Sequence, residues 1–263
     1  MSNGSRNQLQ MNDCGFMTEE KNREFRVQQL LNDKKWHLFI KRTWIFRHIP
    51  FIEFVFGSGS LAVGNVDEES DFDVLIGVRT GRIFTARFCA ALALGLFGWR
   101  RAKEHGNAAA ANKVCLNHFV TEASYRLRLP VNPYWKLLYK RLVPVYGMRE
   151  NIQEFYDANS DWVGKRILES DLRYDPSRDS KMKKFFEAFL GGRIGNWCEL
   201  RLKQYQRHRI QRGMQAHNDS HNMAHEMWII GAGESARVEL APLIVYSDEE
   251  LEFHPDPAVI EIR

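Results

Sequence analysis

Residues Phe56–Val78, FGSGSLAVGNVDEESDFDVLIGV, decide how this chain reads. The apolar, aromatic run FIEFVF ends at Phe56 and passes into Gly57-Ser58-Gly59-Ser60, a buried strand leaving through a glycine turn. A second run, Asp71–Val78 (DFDVLIGV), reads as another strand. Side chains alternate faces along a strand, so Asp71 and Asp73 share one face while Phe72, Val74 and Ile76 share the other. Two carboxylates side by side repel, and burying them is costly unless a cation sits between them. Hard oxygen ligands of this kind select Mg2+ or Mn2+, and Mg2+ commonly arrives with a nucleotide's phosphates. The Gly59-Ser60 turn, opening a short helix after a strand, offers backbone N–H groups to an anion. A phosphate cradle beside a carboxylate pair is what phosphoryl or nucleotidyl transfer requires. Each part alone is common; the order strand, Gly-Ser, ten residues, then Asp-apolar-Asp-apolar is far more specific.

Outward from this core, Met1–Thr18 is rich in Asn, Ser and Gln and reads as a flexible arm over residues 1–18. A helical stripe through Phe25, Leu30, Leu31, Trp36, Phe39 and Ile40 follows an acidic first turn and runs toward His48. Ile83–Trp99 is apolar on nearly every side, and its length favours a helix packed on a sheet. Lys113–Thr121 (KVCLNHFVT) reads as a third strand. Helix and strand therefore alternate through residues 19–130, the pattern of an α+β (α/β) sheet domain. Beyond Pro130, Tyr134–Leu142, Asn151–Val163 and Ser180–Gln215 carry apolar residues every three or four positions, with a break at Gly191-Gly192. Residues 131–263 are thus expected to form a mainly helical second domain closed by an acidic, strand-containing tail.

The stretch hG[GS], then about 9–13 residues, then Dh[DE]h, is the signature of the polymerase-beta-like nucleotidyltransferase superfamily, and this chain closely resembles it. Gly59 and Ser60 match the glycine motif, and Asp71 and Asp73 match the metal pair; Gly57-Ser58 also fits the spacing. KVCLNHFV, LVPVYG, FYDANSDWV and FHPDP are similar to segments of a poorly characterised group of bacterial nucleotidyltransferase-domain proteins. The resemblance implies a mixed sheet with flanking helices and a Mg2+-dependent (or Mn2+-dependent) transferase. It implies that Asp71 and Asp73 hold two metal ions and Gly59-Ser60 holds the β- and γ-phosphates of a nucleoside triphosphate. An acceptor hydroxyl, on a small molecule, a protein or an RNA end, then takes the nucleoside monophosphate and pyrophosphate leaves. One departure stands out. The superfamily usually supplies a third carboxylate from a later strand, whereas between Val74 and Arg149 the only acids are Glu104 and Glu122. The third strand carries Asn117 and His118 instead. A catalytically silent nucleotide-binding or partner-binding module is therefore the alternative expectation.

Composition bounds the remaining classes. With 263 residues, 44% hydrophobic and 27% charged, the chain is globular, and no disordered, fibrous or disulfide-scaffold class fits. Cys14, Cys89, Cys115 and Cys198 show no C-x-x-C pair or metal spacing. The first twenty residues are polar, and the longest apolar stretch is interrupted by Arg87, so a reduced, cytoplasmic protein without membrane partners is expected. The net charge of +4 hides an asymmetry: Lys165–Arg212 sums to +7 and Glu234–Arg263 to −6. The basic segment is a candidate wall of a triphosphate cleft. Its densest part, Arg201–Arg212 (RLKQYQRHRIQR), also invites an RNA reading, against which the sequence offers no aromatic stacking platform. His217, His221 and His225, four apart, read as coincidental histidines on a polar segment. Gly231-Ala-Gly233 reads as a turn.

Overall fold

A computed structural model describes residues 19–101, 110–126, 133–165, 173–174, 179–220, 229–230, 236–239, 243–254 and 259–262. The expected arm at 1–18, Glu104, His221, His225 and Gly231–Gly233 lie outside the described residues. The architecture is mixed α/β. Helix α1 (Glu19–Thr43) continues into a 3-10 turn (Trp44–His48) and reaches β1 (Ile52–Gly57). Helix α2 (Gly59–Val63), β2 (Phe72–Val78), α3 (Ile83–Leu96) and β3 (Val114–Val120) follow. Then come α4 (Pro133–Arg141), β4 (Val143–Gly147), α5 (Arg149–Ala158), α6 (Ser160–Val163), α7 (Lys181–Leu190) and α8 (Arg193–Ser220). Five strands complete the described chain: β5 (Ile229–Ile230), β6 (Ala236–Glu239), β7 (Leu243–Tyr246), β8 (Glu250–His254) and β9 (Val259–Ile262).

Six strands form one sheet in the order β4-β1-β2-β3-β8-β7, and β5, β6 and β9 form a separate small one. Only β2 and β3 are parallel, which demands a crossover, and α3 supplies it. The sheet draws three strands from residues beyond 130, so the later part of the chain is not simply a helical lobe beside it. Strand β4 was expected to fall within a helical region. Its β-branched Val143 and Val145 favour extension, and Pro144 is tolerated because β4 lies at an edge, paired only with β1.

Alternation sets the two faces of the sheet. Phe72, Val74, Ile76 and Val78 join Trp36 and Phe39 of α1 and Phe84, Ala90 and Leu94 of α3 in one core. Phe54, Phe56, Leu75 and Val120 join Leu138 and Tyr139 of α4 and Ile152, Phe155 and Tyr156 of α5 in the other. Phe54, Phe56, Phe72, Phe84 and Phe155 are sealed from solvent, each burial worth about 2 kcal/mol. Asp71 and Asp73 therefore look to the α4–α5 face, as the period-two reading required.

Helices α7 and α8 form a hairpin that docks on the sheet through polar side chains. Lys183, almost fully buried, donates to the Ile52 carbonyl at 2.6 Å and to Asp179 at 2.7 Å. Glu187 accepts from the Phe51 N–H at 2.7 Å. Glu199 accepts the Phe84 and Thr85 N–H groups at 2.9 and 2.8 Å, capping the start of α3 from a neighbouring helix. Gly195 lets the helices close up, because a Cβ there would collide with the Leu190 carbonyl.

Candidate functional site

Strand β1 delivers its last residue, Gly57, beside β2, and the chain then turns sharply into α2. The Ser58 N–H donates to the Asp73 carbonyl at 3.0 Å, pinning the turn to β2. Gly59 takes φ +63, a left-handed conformation favouring glycine, and a Cβ there would collide with the Asp73 carboxylate. Only glycine lets the carboxylate approach this backbone. Ser60 follows in the first turn of α2, and its carbonyl closes that short helix by accepting from Gly64 and Asn65. Gly57, by contrast, lies inside β1 under the Trp36 and Phe39 rings.

Asp71 precedes β2 and Asp73 lies within it. Buried Lys35 of α1 holds the approach to them, donating to the Glu68 carbonyl at 2.9 Å and the Ser70 carbonyl at 2.8 Å. Burial lowers the Lys35 pKa, while Glu68, Asp67 and Asp71 oppose that shift. Across the parallel pairing Asp73 sits opposite Cys115 of β3. Asn117 donates to Asp73 Oδ1 at 3.1 Å, and Arg101 donates to Asp71 Oδ2 at 2.7 Å. Ligand atoms of Asp71, Asp73 and Cys115 all lie within 4.8 Å of one another, and all three residues are half-buried.

The electrostatics follow from crowding three such groups. Burial pushes the Cys115 thiol well above its usual range, Asp73 and Asp71 push it further, and Arg101 opposes them, so it stays protonated. Burial pulls Arg101 down, but Asp71, Cys115 and Asp73 outweigh that and its pKa is raised overall. Its backbone is fixed as well, since Arg101 N donates to the Val114 carbonyl at 3.0 Å. Arg101 thus supplies the cation that the carboxylate pair needs.

The residues expected to act together are in part brought together. Gly59, Asp71 and Asp73 converge, with Ser60 adjacent. Glu122 does not join them: Cys115 faces Asp73, and five further strand residues carry β3 roughly 16 Å away before Glu122 begins a 3-10 turn. Lys35, Arg101 and Cys115 belong to the site without any sequence signal of their own. Within the basic segment, Lys203 and Arg207 pair with Asp248.

A second polar cluster lies further along β3 on the same face. His118 is sealed between Glu250 Oε1, 3.2 Å from Nε2, and Glu252 Oε1, 3.7 Å from Nδ1. Nε2 is within hydrogen-bonding distance of Glu250, whereas Glu252 faces Nδ1 beyond that range and acts on the ring through its charge. Burial lowers the His118 pKa, but Glu252 and Glu250 overcome it and the net shift is upward.

Comparison with family models, with characterised proteins and with solved structures finds no match, so the site is read from its own residues. Cys89, Cys115 and Cys198 are free thiols. Among the described residues no helix is long and apolar enough to cross a membrane.

Proposed function

We propose that this protein is a nucleotidyltransferase whose Asp71 and Asp73 hold a divalent cation with a nucleoside triphosphate. The observation that carries the reading is the Asp73 carboxylate set against the positive-φ turn at Gly59, with an Asp71 oxygen within 4.8 Å of it. The donor set fits Mg2+ or Mn2+: two half-exposed carboxylates within 4.8 Å, already requiring compensation by a cation. When bound, such an ion neutralises the triphosphate and acidifies an acceptor hydroxyl.

The chain's own residues do the rest. Gly59 and Ser60 present backbone N–H groups to the β- and γ-phosphates. Arg101 moves from Asp71 toward the added negative charge. The acceptor oxygen bonds to the α-phosphorus, the bond to pyrophosphate breaks, and the acceptor proton leaves to solvent, because Cys115 and Asn117 offer no base. Labelled triphosphates incubated with the protein and Mg2+ or Mn2+ test this. Release of pyrophosphate that Asp71→Ala and Asp73→Ala each reduce at least a hundredfold is expected; transfer unchanged in either variant overturns the assignment.

One observation favours a second reading. Where the superfamily pattern expects a third carboxylate, β3 offers Cys115 and Asn117, with Asn117 bonded to Asp73. A silent nucleotide-binding module would bind a non-hydrolysable triphosphate in a metal-dependent way yet release no pyrophosphate with any acceptor. Calorimetry beside the transfer assay separates the two.

A further inference from the structure

The α7–α8 hairpin turns Lys183, Glu187, Glu199 and Gln206 inward to bond to the body and leaves most of its aromatic rings outward. Within Lys181–Arg212 the only acids are Glu187 and Glu199, and both face the body through the hydrogen bonds described above. Every outward charge within Lys181–Arg212 is therefore positive. On α8 the exposed residues Arg193, Trp197, Arg201, Tyr205 and Arg209 recur every four positions, alternating cation and ring. Four residues of helix rise about 6 Å, so the series is a ridge of regular step about 24 Å long. Trp197 is 60% exposed and Tyr205 57%, and the Arg201 guanidinium lies 5.6 Å over the Trp197 ring. Phe185 and Phe189, 66% and 56% exposed, add two rings on α7.

We infer that this ridge binds single-stranded nucleic acid, with phosphates on the arginines and bases on the intervening rings. Aromatic faces accept any base, and a basic track follows the backbone. The Arg209 end strengthens the assignment. Burial, with Arg100 and Arg209 beside it, pulls the Arg87 guanidinium down to about 10, and burial with Arg209 lowers Arg100. Arg87, which donates to Gln206 at 2.8 Å, and Arg100 thus add positive charge near the Arg209 end of the ridge. Met182, Phe186, Ile194 and Leu200 are exposed on the same hairpin, so an apolar protein surface is the competing occupant, which the salt dependence below tells apart. A face-to-face second copy would set like charges against each other. Arg100 is also the chain neighbour of Arg101, which pairs with Asp71. Binding at this ridge, which packs on α3, stands independently of the transferase reading.

The test is fluorescence anisotropy of the full chain with a labelled uridine dodecamer. Binding is expected to weaken between about 50 and 200 mM salt with a log–log slope of about −2, three arginine contacts at 0.7 each. Trp197→Ala with Tyr205→Ala should weaken it at least tenfold, and Arg201→Gln should make the slope shallower by about 0.7. These positions are exposed, and circular dichroism verifies that the variants fold. Asp71→Ala with Asp73→Ala should leave dodecamer binding unchanged, so loss of transfer and loss of binding are read separately. Absence of binding, indifference to the ring substitutions or to salt, tighter binding to anionic phosphatidylglycerol vesicles, or a dimer abolished by Trp197→Ala would each overturn the inference.

Discussion

Strand β3 carries two clusters of ionisable groups on one face, and they have opposite fates. At its start, Asp71, Asp73, Cys115 and Arg101 remain half-open to solvent. Further along, His118, Glu250 and Glu252 are sealed, at 4%, 5% and 1% exposure. Both join carboxylates to a cation, yet only the open one can exchange its cation for a ligand. The sealed one fastens β8 to β3, so its worth is structural. A buried ion pair is not strong evidence of net stability, but breaking one by removing a partner strands a charge in a low-dielectric interior.

The contrast is most sharply broken at His118. His118→Ala leaves Glu250 and Glu252 facing each other without their cation, and a loss of about 3–5 kcal/mol in urea unfolding is expected. Should the loss stay below about 1 kcal/mol, the sealed cluster is no more a fastener than the open one. Gly59→Ala ranks next. Forcing a side chain into positive φ and against the Asp73 carboxylate should cost about 2 kcal/mol and abolish triphosphate binding, read by denaturation and calorimetry.

A smaller effect distinguishes the clusters by pH. The folded-state pKa of His118 is raised above its ordinary 6.5. Its contribution is therefore fully present below 6.5 and is lost as pH rises through the folded value. The groups facing it are Glu250 and Glu252 on β8, with Tyr139 of α4 near both carboxylates; burial, then Glu252 and Glu250, raise the Tyr139 hydroxyl well above its ordinary range, so it stays neutral throughout. Thermal unfolding followed from pH 6 upward should show Tm falling, with the slope flattened in His118→Gln. A slope indifferent to that substitution would place the dependence elsewhere.

These clusters were unequally legible. Asp71 and Asp73 could be placed on one face because strand alternation is local, and the apolar runs of β1, β2 and β3 needed no tertiary information. The glycine turn was legible for the same reason. Register was not. The irregularity between Asp73 and Leu75 pairs Asp73 with Cys115 and Leu75 with His118, so residues three apart on β3 come to the same face, contrary to simple alternation. That shift is what puts Cys115, Asn117 and His118 where they are. Arg101 meets Asp71 across 30 residues and Lys35 meets Ser70 across 35, contacts that nothing in either local sequence announces. Tyr205 stood in the basic run from the start, but its exposure, and the place of Trp197 in step with it, depend on which side of α8 the body takes. Glu199 and Gln206 decide that by bonding to the start of α3.

Arg101→Gln is expected to have the smallest effect on stability and the most informative effect on binding. The Arg101 and Asp71 side chains are 36% and 15% exposed, so their ion pair is partly screened and its removal should alter unfolding free energy by no more than about 1 kcal/mol. The same removal deprives Asp71 and Asp73 of their resident cation. If Arg101 holds the place that a divalent ion takes, Arg101→Gln should tighten Mn2+ binding about fivefold, the equivalent of ~1 kcal/mol, in an electron paramagnetic resonance titration without nucleotide. Weaker Mn2+ binding would mean that Arg101 orders the two carboxylates for the ion instead of competing with it. In that case the open cluster would resemble the sealed one, a fixed salt bridge whose cation is part of the fold.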